Sequence, residues 1–118
     1  MIIGVPKEIK IKESRVSVVP STVKKLTDAG HTVLLEKNAG VFSGFDDEQY
    51  NKVGAQIIDN AAKVWNESHL IVKVKEPLES EYKYFRNDLN IFTYLHLASV
   101  PELASALCEK NVTSIGYE

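Results

Sequence analysis

The chain has 118 residues, which suits a single domain, because two domains would leave each half too small for a good hydrophobic core. Apolar residues make up 44% and charged residues 25%, as in soluble globular proteins, and a net charge of −2 makes nucleic-acid binding an unfavourable hypothesis. The single cysteine, Cys108, excludes an internal disulfide and a cysteine-based zinc site, so we expect a cytoplasmic, metal-free protein. Neither a signal peptide nor a run of ~20 apolar residues that could span a membrane is recognisable.

The first half of the chain predicts strands that alternate with helices, since short apolar runs are separated by Gly, Pro and charged residues. The expected elements, in chain order, are a buried strand over 2–5, a charged loop over 7–15, a short strand over 16–19, a helix that begins at Pro20 and stops at Gly30, a strand over 32–36, a short helix from Asp46 with a capping box at Gln49, and a strand over 55–58.

The second half continues the same alternation. The expected elements are a helical turn over 61–65, a strand over 69–75, a helix over 79–85, a strand over 90–95, a helix to about Lys110 that Ser99 caps, and a strand over 112–117.

Strands that are apolar on both faces need helices on both sides of the sheet. We therefore predict an α/β fold, a three-layer sandwich with a mostly parallel sheet, similar to flavodoxin and Rossmann folds. The sequence stops at Glu118, directly after an apolar strand and without a covering helix. We expect these 118 residues to be the front part of a longer chain, and an exposed apolar sheet face to favour self-association.

Side chains that suit a small anionic substrate follow the predicted strands at their carboxyl ends, where ligands bind in open α/β sheets. Arg15 lies in the loop after the first strand, and His96 comes directly after the strand over 90–95. Lys73 and Lys75 are two residues apart, so they point to the same face if their strand continues regularly. We expect these groups to converge on one edge of the sheet.

The chemistry of the three residue types is complementary. A guanidinium binds a carboxylate through two parallel hydrogen bonds, an ammonium polarises a carbonyl oxygen, and an imidazole exchanges protons near neutral pH. Arg15, Lys75 and His96 would thus fit a 2-oxo acid or an amino acid. By residue type alone, the structural interpretation is the more common one for each of them: a solvated surface arginine, a strand-end lysine and a partly buried structural histidine.

Other conspicuous residues are interpreted as structural. These are His31 as a helix-end cation, His69, Cys108 as a small core or half-exposed residue, and the aromatic residues Trp65, Phe92 and Tyr94 as core rather than cofactor contacts.

The glycines do not form a nucleotide-binding loop. No two of the six are separated by a single residue, so the G-x-G-x-x-G fingerprint is absent, as is the phosphate-binding G-x-x-x-x-G-K pattern. No Ser or Cys lies in a recognisable nucleophile elbow. We expect no cofactor-binding residue in this chain.

Four segments resemble the amino-terminal part of alanine dehydrogenases. They are residues 3–10 (Ile-Gly-Val-Pro-Lys-Glu-Ile-Lys) followed by 13–16 (Glu-Ser-Arg-Val), 40–45 (Gly-Val-Phe-Ser-Gly-Phe), 72–78 (Val-Lys-Val-Lys-Glu-Pro-Leu) and 92–98 (Phe-Thr-Tyr-Leu-His-Leu-Ala). The resemblance spans the whole chain and implies an enzyme several times longer. It implies an oxidoreductase that converts L-alanine, NAD⁺ and water reversibly into pyruvate, ammonium and NADH during L-alanine catabolism.

The resemblance also implies roles for individual residues. Arg15 would hold the substrate carboxylate, Lys75 would contact the carboxylate or the carbonyl oxygen, and His96 would be the general acid and base. NAD would be bound mainly by a central domain that is absent here, so residues 1–118 would form an N-terminal substrate domain that is inactive alone. The full-length enzyme would be a homohexamer.

Two alternatives stay open. The α subunit of nicotinamide nucleotide transhydrogenase shares the opening pattern, the arginine and the fold, but it typically lacks the lysine and the histidine that correspond to Lys75 and His96. The third hypothesis is a non-catalytic oligomerising fragment.

Overall fold

The computed structural model describes residues 1–118 and contains one sheet of six parallel strands with four α-helices. The strands are β1 (Ile2–Val5), β2 (Thr32–Glu36), β3 (Gln56–Ile58), β4 (Leu70–Val72), β5 (Asn90–Thr93) and β6 (Thr113–Gly116). The helices are α1 (Pro20–Asp28), α2 (Asp47–Lys52), α3 (Ala61–Glu67) and α4 (Pro101–Glu109), and short 3₁₀ helices cover Val41–Ser43, Glu79–Tyr84 and Leu97–Ser99.

The strand order is β3-β2-β1-β4-β5-β6, the order of the Rossmann fold, and every neighbouring pair is parallel. The predicted α/β fold is therefore confirmed, with an entirely parallel sheet. The chain builds the sheet outward from β1 to β3 and then crosses back to place β4 on the other side of β1. This reversal opens a crevice beyond the carboxyl ends of β1 and β4, which is where ligands bind in such sheets.

Two hydrophobic clusters cover the two faces of the sheet. One contains Trp65 and Ile71 and packs against α3 and α4, and the other contains Val5 and Leu35 and packs against α1 and α2. The adjacent residues Ile71 and Val72 contact different clusters, because successive side chains of a strand point to opposite faces. The layering is thus helix, sheet, helix, as expected.

Gly4 allows α3 to lie directly on the sheet. A Cβ atom at this position would lie 2.2 Å from the hydroxyl oxygen of Ser68, which follows α3, and 2.8 Å from the side chain of Ile71. Only a glycine therefore permits the buried Ser68 to pack on β1.

The structure corrects several predicted element boundaries. Residues 16–19 form no strand, and Val19 is instead the residue that precedes α1. Ser99 does not cap α4, because it lies in a 3₁₀ turn and Val100 occupies the cap position. The predicted helix over 79–85 is a 3₁₀ helix, and the expected capping box between Asp46 and Gln49 is present. No helix has the length and apolar character needed to cross a membrane.

Candidate functional site

Glu8 joins the two loops that follow β1 and β4. Its carboxylate accepts hydrogen bonds from the backbone N–H groups of Val74 (3.2 Å) and Lys75 (2.9 Å). Because these amides bind Glu8, β4 ends at Val72 rather than at residue 75. The Ser17 hydroxyl donates to the carbonyl of Val72 (2.8 Å), which fixes a second point of the first loop over the end of β4.

Lys73 and Lys75 point in different directions, so the prediction that they share a face is wrong. The Lys73 side chain is only 1% exposed, and its ammonium lies 3.2 Å from the Glu8 carboxylate and 3.6 Å from the Glu81 carboxylate. Lys75 is half-buried, and its ammonium makes no ion pair. The backbone leaves the regular strand between the two lysines, so the alternation that the prediction assumed does not hold.

Lys75 and His96 line the same open cleft beyond the carboxyl ends of β4 and β5. Its volume is about 460 Å³, and its lining residues are Lys75, Glu76, Tyr94, His96, Leu97, Ala98, Ser99 and Glu118. The cleft therefore brings together the ammonium and the imidazole, beside the carboxylates of Glu76 and Glu118 and a small apolar surface.

His96 has an unusual backbone conformation. Its φ of +54° and ψ of +36° lie in the left-handed region, which is uncommon for residues other than glycine. The N–H groups of Leu95 and His96 donate to the Glu118 carboxylate at 2.9 and 3.1 Å, and this interaction replaces the predicted extension of β5 to residue 95. The turn directs the exposed imidazole toward the cleft instead of continuing along the sheet.

Arg15 lies in an adjoining cavity of about 350 Å³ rather than in the cleft of Lys75 and His96. Its Nε and Nη2 donate to the two carboxylate oxygens of Glu13 at 2.9 and 2.8 Å. The hydrogen bonds from Arg15 lower the pKa of Glu13 to about 2, and the positive charge of Lys75 contributes. Glu13 thus carries its charge at every physiological pH and interacts electrostatically with both cations.

Tyr94 connects the two cavities, because its side chain lines both of them. The prediction that Tyr94 belongs to the core is wrong, since it is 43% exposed and packs edge-on against Tyr117. It continues the alternation of β5, since Phe92 and Tyr94 both pack against Tyr117, but alternation alone does not show whether a side chain beyond the end of a strand is covered. Arg15 therefore borders the cleft of Lys75 and His96 across a single aromatic side chain.

Comparison with known proteins places these residues in a family. The sequence model described as "Alanine dehydrogenase/PNT, N-terminal domain" matches residues 4–118. The chain belongs to this family. The family resemblance inferred from the four segments is thereby confirmed.

Individual family members agree with the assignment. The alanine dehydrogenase of Bacillus subtilis (strain 168) is 55% identical over 118 residues, which are all of this chain and 31% of that protein. A solved L-alanine dehydrogenase superposes with a TM-score of 0.97 at 48% identity, covering all of this chain and 32% of the other. A transhydrogenase from Sinorhizobium meliloti gives a TM-score of 0.90 at 28% identity, covering 98% of this chain and 34% of the other. The chain thus spans about a third of the length of these oxidoreductases.

The residues around the crevice between β1 and β4 are not suited to bind the pyrophosphate of a dinucleotide. In a dinucleotide-binding fold a glycine-rich turn and a helix N-terminus follow the first strand directly. Here Pro6 follows β1, α1 begins only at Pro20, and the backbone amides of Val74 and Lys75 after β4 already bind the Glu8 carboxylate.

The largest cavity, about 660 Å³, lies on the other side of Glu76 and is an unsuitable site for an anionic substrate. Four carboxylates line it, from Glu76, Glu79, Glu102 and Glu109, and no cation does. Glu76 forms an ion pair with Lys10, which neutralises only the carboxylate nearest the cleft. A carboxylate substrate would be repelled from this cavity, whereas the cleft on the other side of Glu76 offers it the ammonium of Lys75.

The remaining conspicuous residues have structural contacts. The His31 imidazole contacts the N-terminal amine (3.1 Å), and the His69 imidazole accepts a hydrogen bond from the N–H of Ile2 (2.9 Å). Trp65 is fully buried as expected, whereas the prediction for Cys108 is wrong, because this residue is exposed on α4 rather than in the core or half-exposed. In residues 1–118, no three His, Cys, Asp or Glu side chains are arranged so that they could hold a metal ion.

The buried Glu81 gives a prediction about pH. Burial raises its pKa, although the Lys73 ammonium acts in the opposite direction. A carboxyl whose pKa is higher in the folded state stabilises the fold fully below its unfolded pKa, and this contribution is lost as the pH rises through the folded value. Glu81→Gln keeps an acceptor for the N–H of Leu78 but does not titrate. Above about pH 4 the variant should therefore gain stability relative to the parent protein as pH rises.

Thermal unfolding at a series of pH values checks this expectation. Glu48→Gln serves as the control, because the Glu48 carboxylate is 75% exposed and its only ion pair is with the exposed Lys52. If the difference in unfolding temperature between Glu81→Gln and the parent protein were constant with pH, or shrank as pH rises, the prediction would be wrong.

Proposed function

We propose that this chain is the N-terminal substrate domain of a cytoplasmic, NAD-dependent alanine dehydrogenase. The observation that carries the proposal is that Lys75 and His96 line one cleft, with Arg15 in the adjoining cavity across Tyr94. The reaction is the reversible conversion of L-alanine, NAD⁺ and water into pyruvate, ammonium, NADH and a proton. Because these residues do not fit a dinucleotide, NAD binding is assigned to the part of the protein outside residues 1–118.

The two cations serve the substrate carboxylate and the carbonyl oxygen. Arg15 binds the carboxylate, since a guanidinium offers parallel N–H groups that match its two oxygens. Lys75 approaches the carboxylate or the carbonyl oxygen and stabilises the negative charge that develops on that oxygen. The Lys75 ammonium is suited to this role because it has no carboxylate partner of its own, in contrast to Lys73.

His96 moves the proton in the hydrolytic half of the reaction. Water adds to the imine of alanine to give a carbinolamine, and loss of ammonia from this intermediate forms the C=O bond of pyruvate. His96 accepts the hydroxyl proton of the carbinolamine as the C–N bond breaks, and it returns the proton in the reverse direction. Its imidazole is exposed at the cleft, where a substrate can reach it.

We further propose that the full-length protein is a homo-oligomer. The family resemblance implies a homohexamer. Large apolar side chains of this domain are exposed, notably Ile11 (88%) and Phe42 (73%), and exposed apolar surface favours association.

A transhydrogenase subunit is the second candidate, supported by the TM-score of 0.90 with the Sinorhizobium meliloti protein. A reaction between two nucleotides has no amino-acid substrate, so it gives no role to the pair of Lys75 and His96 in one cleft. A non-catalytic oligomerising fragment is the third candidate and likewise requires neither residue.

Formation of NADH by the full-length gene product distinguishes these functions. We expect L-alanine to support NAD⁺ reduction, and pyruvate with ammonium to support NADH oxidation, whereas residues 1–118 alone should show neither activity. Hydride exchange between two nucleotides without alanine-dependent turnover would favour the transhydrogenase. The absence of both reactions would favour the non-catalytic fragment, and enzyme-like turnover by residues 1–118 would contradict the assigned domain organisation.

A further inference from the structure

Glu13 holds Arg15 in a defined orientation. The Glu13 Oε2 accepts hydrogen bonds from both the backbone N–H of Arg15 (2.9 Å) and its side-chain Nε (2.9 Å), and Oε1 accepts from Nη2 (2.8 Å). Three hydrogen bonds thus join two residues that are two positions apart. The Glu13 side chain is only 6% exposed, whereas that of Arg15 is 60% exposed.

The backbone on both sides of Arg15 is fixed, but its side chain has Glu13 as its only partner. The carbonyl of Ser14 and the N–H of Val16 both bind the hydroxyl of Ser43, at 3.0 and 3.1 Å. Glu13 is fixed by a turn in which its N–H donates to the carbonyl of Lys10 (3.0 Å). A long, exposed side chain without a partner would lose its defined direction to rotamer freedom.

The contact with Glu13 uses only one of the two edges of the guanidinium that can bind a carboxylate bidentately. Nε and Nη2 form the side edge, and Glu13 occupies it. The end edge, made by Nη1 and the second hydrogen of Nη2, has no partner within the domain. A second carboxylate can therefore bind Arg15 without displacing Glu13.

We propose that Glu13 is a positioning residue that presents the free end edge of Arg15 to the substrate carboxylate. The proposal rests on the proposed function. Under this proposal Glu13 does not compete with the substrate for Arg15 and stays in place when the substrate binds. Its carboxylate is buried and accepts three hydrogen bonds, so it belongs to the framework of the loop. The negative charge of Glu13 also offsets the repulsion between Arg15 and Lys75. Both cations lower the pKa of Glu13, Arg15 more strongly than Lys75.

Steady-state kinetics of the full-length protein test the proposal, with pyruvate as the varied substrate and ammonium and NADH saturating. We expect Glu13→Ala to raise the KM for pyruvate about tenfold, the effect of one charged hydrogen bond, while kcat changes less than about threefold. Glu13→Gln keeps the acceptor oxygen and should give an intermediate KM. Glu48→Ala, which removes an exposed ion-paired carboxylate from α2, should leave the KM unchanged.

A double-mutant cycle shows whether Glu13 acts through Arg15. In the Arg15→Ala background, Glu13→Ala should raise the KM for pyruvate by less than about twofold, because no guanidinium remains to be oriented. An equal effect in both backgrounds would overturn the proposal, as would an unchanged KM in the single variant. A lower KM would overturn it in favour of competition between Glu13 and the substrate.

The result for the parent protein separates this proposal from the proposed function. If the parent protein neither reduces NAD⁺ with alanine nor oxidises NADH with pyruvate and ammonium, both proposals fail. If it is active and Glu13→Ala keeps the KM of the parent, only the role of Glu13 fails. If Glu13→Ala does not fold, the KM of Glu13→Gln for pyruvate, compared with that of the parent protein, decides whether Glu13 has this role.

Discussion

Replacement of His96 by Asn in the full-length protein is expected to lower kcat for alanine oxidation about 10²- to 10⁴-fold, the usual contribution of a general acid and base. Asn is the appropriate substitution because it tolerates the left-handed conformation of this position (φ +54°) better than Ala does. It retains a polar side chain but cannot exchange a proton near neutral pH. The loss should therefore reflect proton transfer rather than a change of the turn.

Two measurements establish that interpretation. The unfolding temperature of His96→Asn should match that of the parent protein, because the backbone N–H of residue 96 still reaches Glu118. His96→Gly, which also suits a positive φ, should lose kcat to the same extent. A kcat within threefold of the parent value in both variants would show that His96 is structural and would remove the main support for acid–base catalysis at the cleft.

Removal of the Lys73 side chain is expected to cost about 3–5 kcal/mol of unfolding free energy, because Lys73→Ala leaves the carboxylates of Glu8 and Glu81 buried without a cation. Protonation of the Glu81 carboxyl group relieves part of this repulsion. Without the Lys73 ammonium, which acts to lower the pKa of Glu81, that pKa would rise further in the folded variant, so the destabilisation should shrink as pH falls. Thermal unfolding of the full-length protein at neutral and acidic pH measures both effects.

Lys75→Ala is the matched control, since the residue lies two positions away on the same loop. Its ammonium makes no ion pair, and its backbone N–H, which binds Glu8, is retained in the variant. The stability of Lys75→Ala should stay within about 0.5 kcal/mol of the parent value, while its turnover of pyruvate falls. Equal destabilisation by the two substitutions would contradict the distinct roles that the structure gives these lysines.

The glutamates that organise the site could not be identified from residue types. Glu8 and Glu13 belong to a densely charged stretch, and such stretches are usually solvated surface. Instead, the Glu8 carboxylate binds Lys73 and the backbone amides of residues 74 and 75. The Glu13 carboxylate binds Arg15. The only available signal was the position of this stretch in the loop after β1, where ligands bind in parallel sheets.

The sequence by itself determined the alternation of strands and helices, the parallel sheet and the residue types at its carboxyl edge. It could do so because apolar periodicity and helix-start signals are local properties of the chain. Only the tertiary structure decided that Lys73 is buried and Lys75 faces the cleft, and that Tyr94 is exposed between two cavities. The surroundings of the two lysines depend on the end of β4, where hydrogen bonds from residues 74 and 75 to the distant Glu8 replace the regular ladder. Tyr94 keeps the alternation of β5, and its exposure depends on which distant segments cover the end of the sheet.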